Sequence, residues 1–231
     1  MLKRILLAAI LAGALAGVFV SPLQGVRLIP LIHQAEVYED AGNAAAAPGQ
    51  NHMAMAGHEN EGDSEWMPAE GVQRIGFTVL ANVLAATGFA LLLTACFALK
   101  GDIDVKRGIV WGLAGFAVFH LAPALGLPPE PPGGHPAALH DRQLWWLLAV
   151  STAAGGLALI VFARGYATKL AGFALISVPH IVGAPAPLGP PAVPAELAVS
   201  FAIGSLATAA VFWAVLGGLS GYFFRRFAAE S

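Results

Sequence analysis

Charge is what this sequence has least of. Only 11% of its residues are Asp, Glu, Lys or Arg, against 57% hydrophobic, and mean hydropathy is +0.70. A water-soluble domain carries about a quarter charged residues. That shortage excludes a soluble globular protein and points to an integral membrane protein. Cysteine is almost missing too. The single Cys96 rules out an intramolecular disulfide framework and any CxxC metal site, and its apolar surroundings make it a small buried hydrophobe. No GxxxxGK[ST] loop is present, so the chain does not hydrolyse ATP in the P-loop manner. No Ser/His/Asp or HExxH pattern occurs, so the expectation is that it is not an enzyme, and no basic nucleic-acid-binding surface is present.

Long apolar runs are abundant. A membrane-spanning helix needs about 20 mostly apolar residues. Six candidates fit, at about 5–26, 75–99, 108–127, 144–163, 170–184 and 197–224. The expected fold is therefore all-α, a single polytopic membrane domain of about six spans. The fifth candidate is short and carries Pro179, and the first, with Lys3 and Arg4 before its apolar core, also has the form of a signal peptide. Discounting either leaves five. The apolar character continuing to Val26 favours a retained first span.

Lys and Arg set the orientation. With the N-terminus inside, Lys3, Arg4, Lys100, Lys106, Arg107, Arg164, Lys169, Arg225 and Arg226 fall inside; only Arg27, Arg74 and Arg142 fall outside. Both termini are thus expected on the cytoplasmic side of the membrane. Of the acids, only Asp102, Asp104 and Glu230 lie inside, so the outer face is anionic and concentrates cations. The outer segments are a long polar stretch at 27–74, whose "NAAAAPGQ" reads as flexible, and two Pro-rich loops, "PPEPPGGHPAALHDRQ" and "PAPLGPPAVPAE". Trp145 and Trp146 fit an interfacial aromatic belt. "LAGFA" occurs at 113–117 and again at 170–174, early in two outward spans, which a duplicated helical hairpin or chance in an Ala/Gly-rich chain would equally explain. GxxxG pairs at Gly13/Gly17, Gly108/Gly112 and Gly217/Gly221 mark close helix approaches.

Polar groups inside a membrane are costly and default to functional candidates. His120 and His180 are both intramembrane, roughly 6–10 Å below the outer ends of their spans at 1.5 Å per residue. Asn82, Ser151, Thr152 and Ser205 fall near the same depth. Pro123 follows His120 and Pro179 precedes His180, and a proline in a span frees a backbone carbonyl. Imidazoles beside freed carbonyls suit a divalent transition-metal cation, Co²⁺, Ni²⁺ or Zn²⁺. The plainer reading is that each histidine bonds a neighbouring helix. In the outer segment, His52, Met53, Met55 and His58 precede Glu59, Glu61, Asp63 and Glu65. This set lacks thiols and rigid spacing, which excludes a closed structural site and leaves a weak cation collector or a solvated loop.

Four segments carry a family resemblance: "AGALAGVFVSPLQ"; "EWMPAEGVQR" at the end of the acidic stretch; "FHLAPALGLPPEPPG" with "RQLWW" after it; and "VPHIVGAPAP" leading to "VPAEL". Together they resemble the CbtA family of cobalt transporter subunits, over nearly the whole chain. The resemblance implies Co²⁺ uptake connected with cobalamin synthesis. It also implies a small one-span CbtB partner with a His-rich end, in a family commonly drawn with five spans. It supplies no ligand residues, so the metal candidates His120, His180, Asn82, His52 and His58 rest on the residues themselves. No permanently bound cofactor is expected; the metal is cargo. The alternative function is a non-transporting membrane scaffold or metal sensor that positions a small partner subunit.

Overall fold

In the computed structural model, residues 1–46, 71–101, 103–191 and 193–228 are described. Seven helices account for most of them: α1 (Leu2–Arg27), α2 (Ile29–Ala46), α3 (Val72–Lys100), α4 (Val105–Ala124), α5 (Leu139–Phe162), α6 (Tyr166–Val182) and α7 (Ala195–Arg226). Five of them, α1, α3, α4, α5 and α7, are long and apolar enough to cross a membrane, and α6 is a shorter apolar helix of 17 residues. The protein is an all-helical bundle consistent with about six spans.

Helix α1 is inverted relative to a helix of a soluble protein. Along α1 the buried positions are small (Ala8, Ala9, Ala12, Gly13, Ala16, Gly17), while Leu7, Ile10, Leu11, Leu15 and Phe19 face outward. Lipid tails are as apolar as leucine, so large side chains gain little by turning inward. Association comes instead from close backbone approach at small residues. The glycine pairs supply it. A Cβ on Gly13 would strike the backbone and hydroxyl of Thr87 in α3, and one on Gly17 would strike Val83. The pairs of α4 and α7 interlock: a Cβ on Gly108 would meet the Gly217 carbonyl, and one on Gly217 the Gly108 carbonyl. In α5 and α6, Gly156 and Gly172 do the same to each other. Within the two "LAGFA" copies, Gly115 faces the Trp213 ring and Gly172 faces backbone, so the shared pentapeptide serves different contacts.

Helix α7 is the hub, packing on α1, α3 and α4, while α5 and α6 form a hairpin against the second half of α4. Ala8, Ala12, Ala86, Phe97, Trp213, Leu216 and Phe224 belong to one buried cluster in the first group. One end of the bundle is basic. There Arg4 Nε donates to the Phe224 carbonyl (2.6 Å) and its guanidinium stacks 3.6 Å over the Phe224 ring. Lys100 stacks 3.9 Å over Phe162. The other end carries the proline-rich loops, where the Leu188 N–H donates to the His135 carbonyl (3.0 Å) and ties the loops together.

Helix α2 occupies the first part of the long polar outer segment expected at 27–74 and takes in the first half of "NAAAAPGQ", a stretch expected to be flexible. Pro30 occupies its first turn, where no intrahelical donor is needed. Ala35 is fully buried, and Leu28 and Leu31 reach Gly204 of α7. The segment is polar on average yet has one apolar edge, enough to dock it across the end of α7. The second half of "NAAAAPGQ", and the whole His52–Glu65 set, lie outside the described residues.

Candidate functional site

The helix carrying His120 is not uniform. Residues Ala117–Leu121 of α4 form a π turn, in which the Ala122 N–H reaches back five residues to the Ala117 carbonyl. Pro123 explains the irregularity: it has no N–H for the Phe119 carbonyl, and its ring crowds that turn. The widened turn presents Phe119 and His120 toward α7, where Trp213 is fully buried and its indole covers Gly115. Trp213 Nε1–H donates to His120 Nδ1 at 3.1 Å, with the two rings 6.1 Å apart at 77°. Phe116 stacks on the other side of the imidazole, at 6.3 Å and 22°. Indole nitrogen is only a donor, so His120 Nδ1 must hold a lone pair and the ring proton sits on Nε2.

His180 lies one residue after Pro179 near the end of α6. Its neighbour is Trp145, whose ring is 6.1 Å away at 69°. The arrangement repeats the His120–Trp213 pair, but no hydrogen bond forms. His180 Nε2 and Trp145 Nε1 are both buried without a partner among the described residues. Buried polar atoms are nearly always satisfied, so an unpartnered imidazole nitrogen beside an unpartnered indole N–H calls for an explanation. The two tryptophans expected to share one interfacial role differ in their surroundings. Trp146 is exposed and meets Phe119 (6.3 Å), whereas Trp145 is 5% exposed and packs against Gly126 and His180. Gly126 is what admits the indole, since a Cβ there would sit 2.5 Å from its ring atoms.

Asn82 belongs to a different cluster. Its Nδ2 donates to Ser21 Oγ (3.0 Å) and Gln24 Oε1 (2.8 Å) of α1, on either side of Pro22. Ser21 in turn donates to the Gly17 carbonyl (2.9 Å). Of the other residues expected at this depth, Thr152 is buried and donates to the Leu148 carbonyl of its own helix (2.8 Å), and Ser151 is exposed. The polar layer is thus three separate stations: Asn82 with Ser21 and Gln24, His120 with Trp213, and His180 with Trp145. No group of three or more His, Cys, Asp or Glu that could hold a metal ion occurs among the described residues. His52 and His58 lie outside those residues.

A family model described as "Probable cobalt transporter subunit (CbtA)" matches residues 2–225. The chain belongs to the CbtA family. No curated protein and no solved structure matches it. The family's transporter character agrees with the five long apolar helices, and its description as a subunit implies a partner. The two histidine-bearing segments, "FHLAPALGLPPEPPG" and "VPHIVGAPAP", are within the matched region.

What sequence reasoning missed were the two tryptophans that face the histidines. Trp213 is 93 residues from His120, and nothing in the local pattern "FWAVLGG" joins them.

Proposed function

We propose that the chain carries a divalent transition-metal cation, Co²⁺ in the family's sense, inward across a bacterial inner membrane, with both termini cytoplasmic and a small one-span CbtB-like subunit as partner. The observation that carries this reading is His180 Nε2, a buried imidazole nitrogen with no hydrogen-bond partner among the described residues. A neutral imidazole with a free lone pair is a transition-metal ligand. The anionic outer segments, with His52 and His58, collect the cation. His180 takes it first.

His120 is a latched ligand. Its Nδ1 lone pair is engaged by Trp213, and its Nε2 carries the proton. To bind a metal it must leave the indole or move its proton. Asn82 is held to α1 through its Nδ2, and its Oδ1 is the atom it would offer a cation. In this reading the cation passes from station to station, and His120 must be released from Trp213 before it can take part. Membrane potential drives a cation inward at about 2.3 kcal/mol per charge per 100 mV.

The second reading is a membrane scaffold that positions the partner and moves nothing, which would need no three-ligand group, and none occurs among the described residues. Radioactive cobalt uptake separates the two. Cells expressing the chain with its partner should accumulate cobalt, and His120→Ala and His180→Ala should each reduce it. No uptake by the wild type with its partner overturns transport; unchanged uptake in both variants overturns the site.

A further inference from the structure

At the basic end of the bundle, outside everything described above, two grooves meet between α4 and α7. The first, about 590 Å³, is lined by Asp104, Lys106, Tyr222, Arg225 and Arg226 with Val105. The second, about 450 Å³, is lined by Ile109, Ala214, Val215, Gly218 and Leu219. Val105 and Tyr222 line both, so the two are one continuous feature with a charged mouth and an apolar channel.

Its position relative to the membrane follows from the helices. Lys106 is in the first turn of α4, and Arg225 and Arg226 end α7, so the mouth is at the level where spans leave the hydrocarbon. Ala214 is 11 residues before Arg225, which places the apolar channel up to about 16 Å deeper. Ala214 is small and Ile109 rests against Gly218, which leaves a shallow apolar groove along the two helices.

The charge at the mouth favours an anion. Among the described residues the mouth is lined by three cations and one carboxylate; Asp104 Oδ1 accepts the Arg107 N–H (2.8 Å) as the N-cap of α4 and its charge also acts on Lys106 and Arg225, so that lining stays net positive. A soluble anion would use only the mouth and leave the channel unexplained. A neighbouring apolar helix would use only the channel and leave the cations unexplained. We infer that this feature is a binding site for one anionic phospholipid, with its phosphate against Lys106 and Arg225 and an acyl chain in the channel past Ile109, Ala214 and Gly218. Basic pockets between spans recognise lipid head groups in this manner. The site joins the start of α4 to the end of α7, so an occupied site would brace the interlocked glycine pair from below.

The test uses the full-length chain in neutral detergent, titrated with micelles containing phosphatidylglycerol, with phosphatidylcholine, or with inorganic phosphate alone. Native mass spectrometry counts retained lipid and thermal unfolding reads the stabilisation. One phosphatidylglycerol per chain is expected, with a rise in unfolding temperature that neither phosphatidylcholine nor phosphate reproduces. Lys106→Gln and Arg225→Gln should each weaken phosphatidylglycerol about fivefold, Arg225→Lys should restore it, and Ala214→Phe should weaken it by filling the channel. Equal effects of the two lipids would overturn the proposal, and those arms need no variant. Phosphate alone matching the lipid would assign a soluble anion instead and overturn it. Concentration-dependent self-association that displaces lipid would assign the face to a second copy, with the same consequence.

Discussion

The two intramembrane histidines sit beside tryptophans in nearly the same geometry, ring centres 6.1 Å apart and close to perpendicular, and end in opposite states. His120 accepts a hydrogen bond from Trp213, while His180 and Trp145 each keep an unpartnered nitrogen. The difference traces to the backbone beneath them. Trp213 is clamped on the α4/α7 seam, where Gly108, Gly112 and Gly115 bring the helices together and the π turn delivers His120 to the indole nitrogen. Trp145 is received by Gly126 beyond the end of α4, against the shorter helix α6, and its Nε1 makes no hydrogen bond among the described residues. A rigid seam makes a satisfied pair, and a hairpin docked through a loop leaves an open one.

That contrast can be broken from the seam outward. Gly115→Ala should do most damage. The added methyl enters the Trp213 ring, which has no free side to retreat to, and overpacking of this kind costs about 1–3 kcal/mol. Thermal unfolding in detergent should fall accordingly, and no loss of stability would mean that Trp213 is not clamped.

Trp213→Phe comes next. It keeps an aromatic ring but removes the donor, leaving His120 Nδ1 unsatisfied at a cost of about 1–3 kcal/mol. If His120 is a latched ligand, the same variant should bind Co²⁺ more tightly than wild type. Weaker binding there would remove the latch from the account.

Trp145→Phe should cost less than Trp213→Phe, within about 1 kcal/mol, because the nitrogen it deletes has no partner to lose. Matched losses in the two tryptophan variants would erase the distinction between the pairs. The smallest effect expected is that of Asp104→Ala, which touches neither histidine directly. The Arg107 N–H bonded to the Asp104 carboxylate, aided by the charges of Arg107, Arg225 and Lys106, holds its pKa below the usual carboxylate range. That contribution is present above the ordinary carboxylate pKa and is lost as pH falls through the lowered value. The variant should therefore be slightly less stable at neutral pH and equal to wild type in strong acid, as unfolding followed across pH would reveal.

Much of the fold was legible because membrane burial is read from long apolar runs. Those runs announced an all-helical bundle of about six spans, and GxxxG pairs marked the seams of α1 with α3 and α4 with α7. The docked helix α2 was not legible, because its apolar edge of Leu28, Leu31 and Ala35 is too sparse to stand out in a polar stretch. Pro123 signalled a break beside His120, but whether a proline kinks a helix or widens it into a π turn depends on the neighbour it faces. The grouping of Asn82 with the histidines followed from depth alone. Depth does not fix azimuth, and the Pro22 region of α1 turned Asn82 to Ser21 and Gln24. The histidine partners are tertiary facts, since Trp213 and Trp145 arrive from other helices.

The central claim is that an open imidazole at His180 receives the metal cargo. The direct measurement is Co²⁺ binding to the purified full-length chain, followed by the cobalt absorption spectrum and by calorimetry, in wild type and His180→Ala. The account predicts a nitrogen-ligated cobalt spectrum in the wild type and affinity weakened about tenfold or more in the variant, with the fold retained. Equal affinity and an unchanged spectrum in His180→Ala would contradict it.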